Sequence, residues 1–175
     1  MSRAFVKEDD QEEVPIVPPR AHLPEGFVNY VTPLGLKLLN EEKQDIIARK
    51  STVPIDNDKE RRLTLTILDG RLQLLNNRIA TAKVVRPEKQ LSKDSVRFGA
   101  HVTLKNNETN QVENFQIVGV DEADISQGKI AFTSPMARIL LNKHIGDTAT
   151  LILTKGSIVY ELIDISYPDY TVKNV

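Results

Sequence analysis

Apolar positions follow three different rhythms along the chain. Leu65, Leu68, Leu72, Leu75, Ile79 and Ala82 recur at spacings of 3, 4, 3, 4 and 3. That is the seam of a heptad helix. Arg61, Arg62, Arg71, Arg78 and Lys83 take other positions. Gly70 within this arm costs about 1 kcal/mol against Ala and marks a thin or bendable point.

An earlier arm carries Leu36, Leu39 and Ile46, with Val53 extending the seven-residue series from Leu39. Its companion row is polar at Lys43 and Lys50. Thr32 followed by Pro33 predicts an N-cap and first helical turn. Pro54 stops this arm, and Asn57 followed by Glu60 matches a capping box, so the second helix should start near Asp58. Two helices joined by so short a turn must lie antiparallel. Residues 33–85 are therefore predicted as a helical hairpin with Asp56, Asp58 and Glu60 close together at its end.

From Val96 the rhythm changes to strands. His101–Lys105 alternates, and Asn106 to Asn110 is turn chemistry. Val112–Val120 and Lys129–Thr133 follow as strands. Ser134 then caps a short helix over Pro135–Asn142. Gly146-Asp147 predicts a turn, and Ala149–Thr154 with Ile158–Ser166 a last hairpin across Lys155-Gly156. The predicted fold class is α+β: a helical hairpin, then a sheet module of about 75 residues, small but feasible.

Residues 1–28 read as an acidic, Pro-rich flexible tail, because Pro15, Pro18, Pro19 and Pro24 block helix and few apolar groups offset ordering entropy. The alternative is a strap that docks on a partner or on the chain's own domain. The expected layout continues with the hairpin over 29–86, a linker over 87–95, the sheet domain over 96–170 and a short tail over 171–175.

Composition narrows the function classes. The 175 residues carry 23 Lys and Arg against 24 Asp and Glu, for a net charge of −1. The hairpin is net basic between two net acidic ends. Near-neutrality argues against wrapping naked DNA or RNA by bulk electrostatics. Trp is absent, and 5 Phe with 4 Tyr are too few for base-stacking platforms. Cys is absent, which excludes disulfides, thiolate metal sites and Cys nucleophiles. His22, His101 and His144 lack metal-ligand spacing. No stretch suits a membrane span, and the polar, acidic start does not read as a secretory signal. The expectation is a soluble, cytoplasmic, protein-binding or regulatory chain.

Two segments carry a resemblance. Phe115-Gln-Ile-Val-Gly-Val-Asp-Glu-Ala-Asp124 and Ser134-Pro-Met-Ala-Arg-Ile-Leu-Leu-Asn-Lys-His-Ile-Gly-Asp147 resemble the strand-and-loop and helix-and-turn signatures of the bacterial GreA/GreB transcript-cleavage factors. Tyr30-Val-Thr-Pro-Leu-Gly-Leu-Lys-Leu38 is similar to that family's hairpin opening. The resemblance implies a coiled-coil hairpin and an FKBP-like C-terminal domain. It further implies that the C-terminal domain docks on RNA polymerase, on the large catalytic subunit at the secondary-channel rim, while the coiled coil enters. In cleavage-competent members, tip carboxylates help hold the polymerase's second Mg²⁺, and polymerase hydrolyses backtracked RNA. The factor is then an accessory to an enzyme, with no catalytic residue, intrinsic metal or cofactor of its own, and it meets the RNA 3′ end only indirectly. A monomer acting in a complex is expected.

The chain departs from this pattern at the tip. The family's Gly-Asp-Leu-x-Glu-Asn-Ala-(Glu/Asp)-Tyr is missing from residues 45–65. The hairpin is also shorter by about 14 residues, or ~10 Å of reach.

Asp56, Asp58 and Glu60 thus stand as substitute Mg²⁺-assisting carboxylates or as ordinary helix-start acids. Asp121, Glu122, Thr133, Ser134, Pro135 and Arg138 are the implied docking residues, although Ser134-Pro135 alone reads as a plain N-cap. Asp121, Glu122 and Asp124 would equally form a solvated loop. Two versions of the function follow: a cleavage-stimulating elongation factor, or a non-cleaving channel occupant that competes with true cleavage factors. An FKBP-type prolyl isomerase is a remote third, resting on fold analogy.

Overall fold

The structure is a computed structural model that describes residues 15–86 and 93–169. Residues 1–14, the linker residues 87–92 and residues 170–175 lie outside the described part. The chain is α+β.

The first unit is a helical hairpin. A two-residue strand, β1 (Tyr30–Val31), leads into α1 (Pro33–Ser51), and α2 (Asp58–Ala80) leads out to β2 (Lys83–Val84). Thr32 caps α1 by accepting from Gly35 N at 2.9 Å, with Pro33 in the first turn. Asn57 caps α2 by accepting from Lys59 N at 3.0 Å and Glu60 N at 3.3 Å. The predicted start at Asp58 holds.

Five of the six heptad positions, Leu68, Leu72, Leu75, Ile79 and Ala82, enter one cluster, and Leu65 stays outside it. Leu39, Ile46, Leu68 and Leu75 are buried with Val31, and Leu36, Val53, Leu72, Ile79 and Ala82 pack around them. Each leucine fully withdrawn from water contributes about 1.5–3 kcal/mol. Ala82 joins this cluster from beyond the end of α2, because the chain turns back at Thr81 to pair β2 parallel with β1. That parallel pairing was not predicted: two residues are too few to show a period.

The second unit is a five-stranded mixed sheet in the order β5-β4-β3-β7-β6. Its strands are β3 (His101–Asn106), β4 (Val112–Val118), β5 (Lys129–Ala131), β6 (Thr148–Leu153) and β7 (Gly156–Ser166), with α3 (Pro135–Leu140) between β5 and β6. Only the β4–β5 pair is parallel within this sheet. Alternation along β3 sends Val102 and Leu104 inward, where they meet Ile117, Ile130, Leu140 and Leu162.

Three elements of the sheet domain are shorter than the sequence predicts, the first being β4, which ends at Val118 rather than Val120. β5 ends at Ala131, since Ser134 N turns back to Ala131 O. α3 ends at Leu140, because Asn142 adopts a left-handed φ of 66° and its N–H bonds Val96 O at 2.8 Å. Asn tolerates that conformation better than most residues.

Residues 15–28 are not a loose leader over their described length. They run as an extended strap over α2 and on to the sheet domain. Val17 lies over Gly70, Leu23 packs against the sheet core, and Phe27 meets Phe132 in a tilted pair with ring centroids 6.3 Å apart. Proline-stiffened chain loses little entropy on docking, so a few contacts suffice to hold it.

Candidate functional site

The two units meet at a buried polar seam. Glu122 follows β4, and its side chain is 1% exposed. Thr32 Oγ1 donates to Glu122 Oε2, and Lys129 Nζ lies 3.3 Å from Oε1. Gly35 makes this approach fit, since a Cβ there would lie 2.7 Å from Glu122 Oε2. Gly119 does the same one turn away, where a Cβ would meet Tyr30 O at 2.7 Å.

Beside it, Asp121 Oδ1 accepts from Arg20 Nε at 3.0 Å and Nη2 at 2.8 Å. Arg20 also makes a two-pronged contact with Glu42 of α1, at 2.9 and 3.0 Å. Arg78 Nε is 3.2 Å from Asp121 Oδ2, an ion pair without hydrogen-bond alignment. Burial opposes charge on the Arg20 guanidinium, but its hydrogen bonds to Glu42 and Asp121 outweigh that and raise its pKa.

These contacts correct the sequence reading of Asp121 and Glu122. Neither carboxylate is on an open surface, because each is turned inward and paired within the chain. A motif adjacent in sequence does not reveal which way its side chains point. Asp124 does stay at the surface. It caps the 3₁₀ turn Ile125–Gln127, and hydrogen bonds from Ser126 and Gln127 hold its carboxyl below the ordinary aspartate range.

The remaining expected docking residues stay together. Thr133 and Ser134 are half-buried, and Ser134 Oγ accepts from Ala137 N at 3.2 Å. Pro135 and Arg138 are exposed on the first turns of α3. Arg138 Cζ sits 5.4 Å above the Phe27 ring. Phe27 joins Tyr30, Phe98 and Phe132 in one aromatic group. The strap therefore reaches the α3 face, which sequence reasoning did not foresee.

At the other end, Asp56 lies in the loop, and Asp58 and Glu60 lie in the first turn of α2; all three are exposed. Acids there favour the helix dipole. Among the described residues no group of three or more His, Cys, Asp or Glu side chains could hold a metal ion. Ile55, 74% exposed, stands among the tip acids.

Residues 91–167 match the family model described as transcription elongation factor, GreA/GreB, C-term. Over these residues, a little under half of its length, the chain is similar to that family. The transcription elongation factor GreA of Maricaulis maris is 41% identical over 100 residues, which is 57% of this chain and 63% of that protein. The GreA of Francisella philomiragia is 39% identical over 101 residues, 58% of this chain and 63% of its own. The matched region thus spans less than two thirds of these relatives. The GreA factor homolog 1 of Thermus thermophilus aligns over 78% of this chain and 97% of its own, at 19% identity and a TM-score of 0.39.

The matched region includes both segments that first suggested the family, Phe115–Asp124 and Ser134–Asp147. Their geometry differs in kind. The first carries two inward carboxylates, Asp121 and Glu122, that hold the two units together, while the second presents an outward face.

Proposed function

We propose that this chain is a transcription elongation regulator that docks on RNA polymerase through the outward face of α3 and presents its hairpin to the secondary channel. The observation that carries this reading is the GreA/GreB match over the sheet domain that displays Pro135 and Arg138. Relatives matching this region are named as transcription elongation factors. The coiled-coil hairpin and FKBP-like sheet domain of that family are part of the same reading.

The docking face offers an exposed proline and a guanidinium stacked on an aromatic ring. Such a patch suits a partner with an acidic side chain beside an apolar one. No described helix is long and apolar enough to cross a membrane. The proposed place of action is the cytoplasm, as a monomer in the polymerase complex.

Within this reading the non-cleaving version is the better supported. Asp56, Asp58 and Glu60 do not converge, and helices of 19 and 23 residues reach only about 28 and 34 Å. Any Mg²⁺ belongs to polymerase. The chain's own contribution is to bind, to occupy space and to exclude other channel ligands.

The test is RNA length in stalled, backtracked polymerase complexes, with and without the protein, in Mg²⁺. Unshortened transcripts together with retained binding are expected. Shortening from the 3′ end that is abolished by Asp56→Asn with Asp58→Asn would establish the cleaving version instead. Arg138→Glu is expected to weaken polymerase binding at least about tenfold with little effect on stability. Wild-type binding by that variant would overturn the docking face.

A further inference from the structure

Arg20 and its neighbour Ala21 together touch three separate parts of the fold. Arg20 pairs with Glu42 on α1 and with Asp121 on the sheet domain, while Ala21 accepts through its carbonyl from Arg78 Nη2 on α2. We propose that Arg20 is a positioning residue, delivered by the strap, that clips the hairpin to the sheet domain and sets the angle between them. The proposal concerns the isolated chain and stands whether or not polymerase is its partner.

Three further observations support a built latch. The strap follows α2 in register: Val17 lies over Gly70 and Ala21 meets Arg78. Four extended residues cover about 12 Å at ~3.1 Å each, and eight helical residues cover about 12 Å at ~1.5 Å each.

Gly70 is the second. A Cβ there would lie 2.5 Å from Val17 Cγ2, so the helix-weakening glycine is the seat of the strap.

The third is that the strap is held at points rather than along its length. A cavity of about 680 Å³, lined in part by His22, Gln73, Leu74 and Asn77, remains between strap and helix. A segment held by a few polar points can open without unfolding what lies beneath it. Arg20 joins the strap to α1 and the sheet domain, and its planar fork makes paired hydrogen bonds to two carboxylates at once, which the single ammonium of lysine does not reproduce. Domains joined by a small polar interface otherwise reorient freely.

The experiment measures the distance between spin labels by double electron–electron resonance. The chain has no Cys, so Ile55→Cys at the tip and Ile152→Cys on β6, both exposed, give clean labelling. The otherwise wild-type chain is expected to show one narrow distance distribution. Arg20→Ala is expected to broaden it about twofold or more, with the helical circular dichroism unchanged, and Arg20→Lys to fall between.

A wild-type width in Arg20→Ala would overturn the proposal. Should Arg20→Ala also lose its helical signal, Glu42→Gln decides, since it removes only the exposed arm of the clip. Broadening there supports the clip, and an unchanged width overturns it.

Discussion

Thr32 and Glu122, 90 residues apart in sequence, share a buried hydrogen bond in which the threonine hydroxyl donates to the carboxylate. The same hydroxyl oxygen accepts from Gly35 N and so caps α1. One side chain therefore starts the hairpin and ties it to the sheet domain. Lys129 on β5 balances the carboxylate, which would otherwise be a buried unpaired charge.

Thr32→Val keeps the shape and removes both bonds. A lost cap costs about 0.5–2 kcal/mol, and a lost bond to a charged group about 1.5–3 kcal/mol. Chemical denaturation is expected to show a combined loss of about 2–5 kcal/mol. Thr32→Ser should stay close to wild type, because it retains the hydroxyl. Equal stability of the valine variant and wild type would remove the seam from the account.

Gly35→Ala sets two effects against each other. Alanine favours a helix over glycine by about 1 kcal/mol. Against that, the new Cβ would lie 2.7 Å from Glu122 Oε2, under a buried and paired side chain. Overpacking of this kind costs about 1–3 kcal/mol, so a net fall in thermal midpoint is expected. Adding Glu122→Ala should recover the clash part, and a double-mutant cycle reads the coupling. A higher midpoint in Gly35→Ala alone would show that the seam yields.

Gly70→Leu separates the strap from the helix beneath it. The substitution improves helix propensity by about 0.8–1 kcal/mol but displaces Val17. Backbone amides of α2 should become better protected from hydrogen exchange, while those of Val17, Arg20 and Ala21, the strap residues there that carry an N–H, should exchange faster. Unchanged protection along the strap would mean that Val17 contributes nothing to its docking.

Two aspartates give the pH dependence. Hydrogen bonding from Ser126 lowers the Asp124 carboxyl below the ordinary aspartate value, and the His144 backbone N–H lowers that of Asp147. A folded pKa below the unfolded one means that the unfolded chain binds protons first as pH falls. The stabilisation is thus complete above the unfolded value and is lost as pH drops through the folded one. Carboxyl carbon shifts in an NMR titration should place both groups below ordinary aspartate. Ordinary titration of Asp147 would exclude the His144 N–H as its anchor.

Much of the hairpin was legible in the chain. Leu65 to Ile79 hold a helical period over four turns, and Thr32-Pro33 and Asn57 mark the starts, because caps and periods are local properties. The strands of the sheet were legible for the same reason, with errors only at ends such as Leu140, where a tertiary bond from Asn142 stops the helix.

The candidate site was half legible. The sequence by itself determined the α+β class, the two helices and their caps, the strands with their inward faces, and two motifs that point to the GreA/GreB family. Each rests on neighbours within a few residues. Only tertiary structure decided that Glu122 and Asp121 turn inward while Arg138 stays out, and that Arg20 in a proline-rich segment meets partners 22 and 101 residues away. Composition marks that segment as solvated chain, and no local period records a distant carboxylate. The direction of a charged side chain follows from which pairing offsets its desolvation, and that pairing exists only once both units are in place.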